Sequence, residues 1–99
     1  METKFSQAPI GIFDSGVGGL SVLRAIRQAL PDAPIIYLAD QAHVPYGSRP
    51  LAEVRAFSKT ISRFLLKQGC RLIVVACNAA SAAALYSLRQ AFPGTPFVG

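Results

Sequence analysis

The sequence has few of the residues that build disulfide-rich, metal-binding or membrane-spanning proteins. Its 99 residues include two cysteines, one histidine and no tryptophan. Cys70 and Cys77 flank one predicted strand, and at ~3.3 Å per residue they lie about 23 Å apart, too far for a disulfide. No apolar run approaches the ~20 residues of a membrane-spanning helix, and the N-terminus lacks the hydrophobic segment of a signal peptide. We therefore expect free thiols, no metal, no membrane partner and a cytoplasmic location.

Acidic residues are also scarce, with five against ten lysines and arginines and a net charge of +5. Four basic residues recur at every fourth position and form what we call the basic stripe: Arg55, Lys59, Arg63 and Lys67. No aromatic residues interleave with the basic stripe to stack on bases, so we interpret it as the solvated face of a helix and expect no nucleic-acid partner. Salt-dependent nucleic-acid binding through the basic stripe is the alternative.

Continuous apolar runs alternate with segments of helical spacing, which predicts the element order βαβαβαβ. The predicted strands cover residues 9–13, 35–39, 72–76 and 97–98. Continuous apolar strands are typical of a parallel sheet buried on both faces, so the predicted fold class is α/β, a three-layer sandwich with a flavodoxin-like strand order. Because the chain stops on a strand, we expect an incomplete domain.

Three helices are predicted between these strands. The first begins at Leu20, the second runs from Pro50 to about Gly69 with Ser48 or Arg49 as its cap, and the third follows Asn78. The buried stripe predicted for the second helix is Leu51, Val54, Phe57, Ile61, Phe64 and Leu65. The stripe predicted for the third is Ser81, Leu85, Leu88 and Phe92.

Ligands of open α/β sheets bind beyond the carboxyl ends of the strands, which selects residues 14–19, 40–48 and 77–78. Cys77 is the most informative residue there, because it directly precedes a helix. The unpaired N–H groups and the dipole of a helix N-terminus stabilise a thiolate. A small buried hydrophobic residue is the alternative for a free cysteine, and we assign that role to Cys70.

Asp14 ends the first strand at the same edge of the predicted sheet. In the strand order 2-1-3-4 it would flank Cys77 and could orient the thiol or accept its proton, whereas in the order 3-2-1-4 the two would be further apart. The alternative for Asp14 is a cap on the glycine turn that follows it, and one residue could do both.

The glycine turn also allows a dinucleotide-binding interpretation. Gly16 and Gly18 match the start of the fingerprint, Ser21 departs from it, and Asp40 lies near the position of a ribose-binding carboxylate. A nucleotide site would give no role to Asp14 or Cys77. We expect Ser48 and Asn78 to act as helix caps and His43 to be solvated.

Three segments of the sequence resemble the glutamate racemase family: IGIFDSGVGGLSVLR at 10–24, YLAD to SRP at 37–50, and VVACNAASAAAL at 74–85. The resemblance implies a cofactor-independent isomerase that interconverts L- and D-glutamate and supplies D-glutamate for peptidoglycan, hence for cell wall biogenesis and cell shape. It also implies glutamate as the small-molecule partner and is compatible with a homodimer. Relatives that act on aspartate, a hydantoin or a malonate are the alternative within the wider superfamily.

The resemblance assigns roles residue by residue. Cys77 matches the first of two cysteines that work on opposite faces of the substrate, and the second cysteine is absent from these 99 residues. The positions matching the surroundings of the thiol and the substrate are Asp14, Ser15, Tyr46, Gly47, Asn78 and Ala79, the last of which is usually threonine in the family. Residues 1–99 thus correspond to the N-terminal part of the first racemase domain, and we expect this chain alone to be inactive.

Overall fold

A computed structural model describes residues 8–16 and 18–99 of the chain. The strands are β1 (Ile10–Asp14), β2 (Ile35–Ala39), β3 (Leu72–Val75) and β4 (Phe97–Val98), and the helices are α1 (Leu20–Ala29), α2 (Leu51–Lys67) and α3 (Asn78–Ala91). Two single-turn 3-10 helices, Gln41–His43 and Tyr46–Ser48, lie in the loop between β2 and α2. Val17 of the glycine turn lies outside the described residues. So does most of the N-terminal segment from which we expect no signal peptide.

The four strands form one parallel sheet in the order β2-β1-β3-β4. This confirms the predicted α/β fold and its flavodoxin-like order. The register pairs Phe13 of β1 with Leu38 of β2 and with Val75 of β3, so the carboxyl ends of these strands are level. The order 3-2-1-4 is thereby excluded, and the segment after β1 lies between the segments after β2 and β3.

The helices cover both faces of the sheet, which confirms the three layers. On the face of α1, β1 and β3 contribute Ile10, Ile12 and Val74, which pack against Val22, Leu23 and Ile26. On the face of α2 and α3, the largest fully buried side chains are Phe13, Ile73, Leu65 and Leu88. Each such side chain contributes roughly 1.5–3 kcal/mol to folding through removal of apolar surface from water.

The helix ends agree only in part with the sequence. Gly69 ends α2 as predicted, since its φ of +88° suits glycine and its N–H donates to the Leu66 carbonyl while the Cys70 N–H donates to the Leu65 carbonyl. The predicted caps are wrong at the other ends. Pro50 precedes α2 while the Ser48 hydroxyl donates to the Pro45 carbonyl, and Cys77 rather than Asn78 is the N-cap of α3.

The predicted buried stripes of α2 and α3 are also partly wrong. Leu51 and Phe64 are 58% and 46% exposed, whereas Ser58 and Ser62 are fully buried. In α3 the buried positions are Ala80, Ala83, Ala84 and Leu88. The cause is the direct packing of α2 against α3, because small side chains let two helices approach closely and turn the larger ones outward. Among the described residues, no helix is long and apolar enough to span a membrane.

Candidate active site

A cleft of about 450 Å³ opens at the carboxyl edge of the sheet. It is built from the turn after β1, the loop after β2 and the junction of β3 with α3. The residues that line it are Asp14, Ser15, Gly16, Gly18, Val22, Val44, Ala76, Cys77 and Asn78. The structure therefore brings together four predicted site residues, Asp14, Ser15, Cys77 and Asn78, whereas Tyr46, Gly47 and Ala79 are not part of this lining.

Cys77 is the nucleophilic side chain of this cleft. It is half-buried, and as the N-cap of the 14-residue helix α3 it has an extended backbone while its carbonyl accepts the Ser81 N–H at 2.9 Å. The first-turn N–H groups of α3 and its dipole favour negative charge at this position. The cleft thus holds an accessible thiol at a helix N-terminus, a setting in which reactive cysteines occur.

Ser15 is the residue whose side chain contacts this thiol. The Cys77 Sγ and the Ser15 Oγ are 3.4 Å apart. The register explains the pairing, since Phe13 pairs with Val75 and two further residues along both strands set Ser15 opposite Cys77. Asp14, which we expected beside the thiol, lies one residue earlier and makes its own hydrogen bonds elsewhere.

Asp14 is 1% exposed, and its carboxylate accepts three hydrogen bonds from the described residues. Its Oδ1 accepts the Gly16 N–H at 3.0 Å, and its Oδ2 accepts the Gly19 N–H and the Tyr37 hydroxyl, the latter at 2.9 Å. Asp14 is therefore the cap of the glycine turn, the alternative that the sequence left open. Among the described residues, no hydrogen bond links this carboxylate to Cys77.

Gly19 is required by the close approach of this carboxylate. A Cβ at Gly19 would lie 2.7 Å from Asp14 Oδ2 and 3.1 Å from Tyr37 Cε1. Its φ of −77° is open to any residue, so the constraint is contact rather than backbone conformation. Gly18, by contrast, faces open space, with no atom within 4 Å of a Cβ built there.

Tyr37 supports the site through its hydrogen bond to Asp14, a role that the sequence did not indicate. Burial is the main cause that raises the pKa of Tyr37 to about 12, with its hydrogen bond to Asp14 and the charge of Asp14 adding to it. Tyr37 pairs with Ile12 in the register, two residues before Asp14. Its role could be recognised only once β2 was known to lie beside β1.

The loop after β2 is organised by Asp40. Its carboxylate accepts the Tyr46 hydroxyl at 2.6 Å and contacts His43 Nδ1 at 2.9 Å. The His43 ring stacks on Phe57 with centroids 3.9 Å apart while 42% of its side chain stays exposed, so the prediction of a solvated histidine is confirmed only in part. The apolar ring and the charged partner hold this partly exposed side chain in place.

Tyr46 is 2% exposed and belongs to the core between the sheet and α2 and α3. Burial, its hydrogen bond to Asp40 and the charges of Asp40 and Cys77 all raise the pKa of Tyr46 well above its usual range. Tyr46 therefore attaches the loop to the core. The neighbouring Gly47 is exposed, with open space around it.

Several groups needed for the alternative functions have partners within the chain. The N–H groups of Gly16 and Gly19 donate to Asp14, and the Asp40 carboxylate accepts the Tyr46 hydroxyl, so a pyrophosphate or a ribose would compete with these bonds. In the basic stripe, Arg55 Nε donates to the Ala83 carbonyl at 2.8 Å and Arg63 lies over the Phe92 ring. Arg55 and Arg63 thus contact α3 or the residue that follows it while they remain exposed, as the predicted solvated face requires.

A second cleft, of about 530 Å³, lies between α1 and β2. Its lining is Leu20, Leu23, Arg24, Arg27, Gln28, Ile35 and Tyr37, with no thiol and no acidic residue. Within the part of the chain that the structure describes, no three histidine, cysteine or acidic residues are grouped to hold a metal. The chemistry of the described residues is therefore concentrated in the cleft of Cys77.

Comparison with known proteins confirms the resemblance seen in the sequence. The chain is 55% identical over 94 residues to a glutamate racemase of Roseiflexus sp. strain RS-1, which covers 95% of this chain and 35% of that protein. It is 58% identical over 87 residues to a glutamate racemase of Thermus thermophilus, covering 88% of this chain and 34% of that protein. No protein-family profile matches the chain.

Solved structures give the same result. The Thermus thermophilus glutamate racemase in complex with beta-chloro-D-alanine superposes with a TM-score of 0.88 at 54% identity, covering 93% of this chain and 36% of that one. The Francisella tularensis glutamate racemase in complex with D-glutamate superposes with a TM-score of 0.86 at 35% identity, covering 94% and 35%. The chain thus spans about a third of the length of the relatives it matches.

Proposed function

We propose that the protein carrying this chain is a glutamate racemase, an isomerase that interconverts L- and D-glutamate, and that this chain supplies one half of its active site. The observation that carries the proposal is the half-buried thiol of Cys77 at the N-terminus of α3, in a cleft that also contains Ser15 and Asp14. The similarity to glutamate racemases over 95% of the chain supports the choice of substrate.

The proposed reaction is a proton transfer at the α-carbon of glutamate. The Cys77 thiolate takes the α-proton, so that a Cα–H bond breaks and an S–H bond forms while the electron pair stays with the substrate. An acid on the opposite face then returns a proton to Cα and inverts its configuration. In the family that this chain resembles, the second group is a cysteine, which lies outside these 99 residues.

The cleft offers complementary groups for the rest of the substrate. The backbone N–H groups of Asn78 and Ala79 lie in the first turn of α3 and suit a carboxylate. The fixed negative charge of Asp14 suits the α-ammonium, and the Ser15 hydroxyl orients the thiol. In the family that this chain resembles, the positions of Tyr46 and Gly47 belong to the loop that contacts the substrate. Ala79 provides the N–H but no hydroxyl, so affinity would rest on the backbone.

The wider setting follows from the same proposal. Residues 1–99 would form the N-terminal part of the first α/β domain of a longer enzyme, which could pair as a homodimer. D-glutamate would supply peptidoglycan synthesis, and so cell wall biogenesis and cell shape. Both cysteines are free, which suits the reducing cytoplasm.

The test is a racemisation assay on the longer protein. We expect L-glutamate to be converted to D-glutamate without added cofactor, while aspartate and hydantoins are poor substrates. Cys77→Ala should abolish turnover, and Cys77→Ser should leave a much weaker base. Cys70→Ala is the matched control, because Cys70 is buried beneath β1, where burial raises the pKa of its thiol. Turnover by Cys77→Ala near the unmodified rate would refute the proposal.

A further inference from the structure

The hydrogen bond between Tyr37 and Asp14 takes no direct part in the proposed proton transfer. Tyr37 is not among the residues lining the cleft of Cys77, yet its hydroxyl reaches the one buried carboxylate that does line it. We propose that Tyr37 is a positioning residue that fixes the orientation of the Asp14 carboxylate at the cleft. The inference rests on the proposed function, which gives Asp14 its role toward substrate.

The sheet itself sets this contact. Ile12 and Asp14 point to the same face of β1, and Tyr37 pairs with Ile12 in the adjacent parallel strand. Paired residues of neighbouring strands share a face, so Tyr37 and Asp14 both point toward α1. Ile12 and Tyr37 belong to the apolar cluster under that helix. Tyr37 of β2 thus holds the side chain of Asp14, the last residue of β1.

The Tyr37 hydroxyl fills one acceptor position of the Asp14 carboxylate. Each carboxylate oxygen has two lone-pair positions. Among the described residues, Asp14 Oδ2 fills both positions, with the Gly19 N–H and the Tyr37 hydroxyl, whereas Oδ1 accepts the Gly16 N–H. Without the Tyr37 hydroxyl, Oδ2 would lose one of its two donors. Backbone N–H groups would then be the remaining donors from the described residues that hold the carboxylate in place.

A phenol is suited to this task for a second reason. Burial and the hydrogen bond to Asp14 raise the pKa of Tyr37 to about 12, so the hydroxyl remains a neutral donor throughout the range in which enzymes work. A lysine or histidine in its place would neutralise the carboxylate. The neutral Tyr37 hydroxyl fixes Asp14 and only partly offsets its negative charge, which stays available to an ammonium group in the cleft.

Tyr37→Phe is a sharp variant because it removes only the hydroxyl. The ring that packs against Gly19 and the cluster under α1 remains. Tyr86→Phe is the matched control, since Tyr86 is 76% exposed on α3 and loses the same atom. Asp14→Asn and the double variant Tyr37→Phe/Asp14→Asn complete a cycle that separates action through Asp14 from general loosening of the fold.

In the longer protein, we expect Tyr37→Phe to lower kcat for glutamate roughly tenfold with a smaller change in KM, because a misplaced group costs chiefly in the transition state. The double variant should be no slower than Asp14→Asn alone, and Tyr86→Phe should match the unmodified protein. A kcat for Tyr37→Phe equal to that of the unmodified protein, or losses that multiply in the double variant, would overturn the proposal.

A second readout separates failure of this inference from failure of the proposed function. If the longer protein does not racemise glutamate, the proposed function fails. The inference is then tested on the unmodified protein, the two single variants at Tyr37 and Asp14 and their double variant, by the rate at which iodoacetamide alkylates Cys77. Tyr37→Phe removes a donor that offsets the Asp14 charge, so it should slow thiolate alkylation about threefold, whereas Asp14→Asn should speed it. The hydroxyl should have no effect in the Asp14→Asn background; equal slowing in both backgrounds would overturn the inference.

Discussion

The Asp14 carboxylate shows what a sequence can and cannot reveal about a single residue. Its place at a strand end and its turn-capping contact with Gly16 were open to prediction, because both depend on residues nearby in the chain. Its bond to Tyr37 joins residues 23 positions apart and depends on which strand lies beside β1. Spacing alone allowed two strand orders, so the partner could not be named.

The contacts of the loop residues could not be predicted for a similar reason. Tyr46 and His43 stand in a polar stretch without periodicity, which is typical of a solvent-exposed loop. In the structure Asp40 gathers both side chains, and Phe57 of α2 stacks on the imidazole. A helix residue 14 positions away thus stacks on the His43 ring, and nothing in the loop sequence indicates this contact.

At the residue scale, the glycine turn can be tested by adding one methyl group. Gly19→Ala should destabilise the fold by about 1–3 kcal/mol, because its Cβ would overlap the Asp14 carboxylate and the Tyr37 ring. Gly18→Ala is the control, since its Cβ would meet no atom within 4 Å. Urea unfolding measures both, and equal stability of the two variants would show that the carboxylate does not press on Gly19.

At the scale of elements, the strands were more predictable than the helix faces. Strands β2 and β4 have the predicted bounds, and the other two differ by one residue at their ends. Continuous apolar runs in a buried parallel sheet leave little choice of face. A helix can bury any of several faces. The prediction placed the large side chains of Leu51 and Phe64 in the buried stripe of α2 and left out the serines that are buried in the structure.

Helix α2 contains two buried hydroxyls, those of Ser58 and Ser62, that have no hydrogen-bond partner among the described residues. Ser62→Ala should stabilise the chain by roughly 0.5–1 kcal/mol, because it removes an unpaired polar atom and alanine favours a helix. Ser81→Ala is the opposite case, since the Ser81 hydroxyl donates to the Val75 carbonyl at 3.2 Å. It should lower stability by roughly 0.5–1 kcal/mol in urea unfolding. A loss of stability in Ser62→Ala would mean that its hydroxyl has a partner, such as a bound water.

At the scale of the whole molecule, the raised pKa values of Tyr37 and Tyr46 make the stability of the fold depend on pH in the alkaline range. Tyr37 has a pKa of about 12 when folded and 10.0 as its ordinary value. Between these values the unfolded chain loses the proton while the folded chain keeps it, so stability is complete below pH 10 and falls as the pH rises toward 12. The pKa of Tyr46, also raised, acts in the same direction. Urea unfolding across this range should show a smaller fall for Tyr37→Phe, and an identical fall would contradict the assignment.

The cleft also limits what this chain can do by itself. It offers one thiol on one side of the substrate position, and inversion needs a second proton-transferring group on the other side. The 99-residue chain alone should therefore show no racemisation of glutamate in a chiral assay. Turnover by this chain that depends on Cys77 would contradict the proposed two-sided transfer.

The exchange of the α-proton of glutamate with deuterium oxide tests the role of Cys77 most directly. The longer protein is incubated with L-glutamate in deuterium oxide, and the product of opposite configuration is analysed for deuterium at Cα. We expect the unmodified protein and Cys70→Ala to form deuterated D-glutamate, and Cys77→Ala to form none. Deuterated D-glutamate produced by Cys77→Ala at the rate of the unmodified protein would show that another group removes the proton.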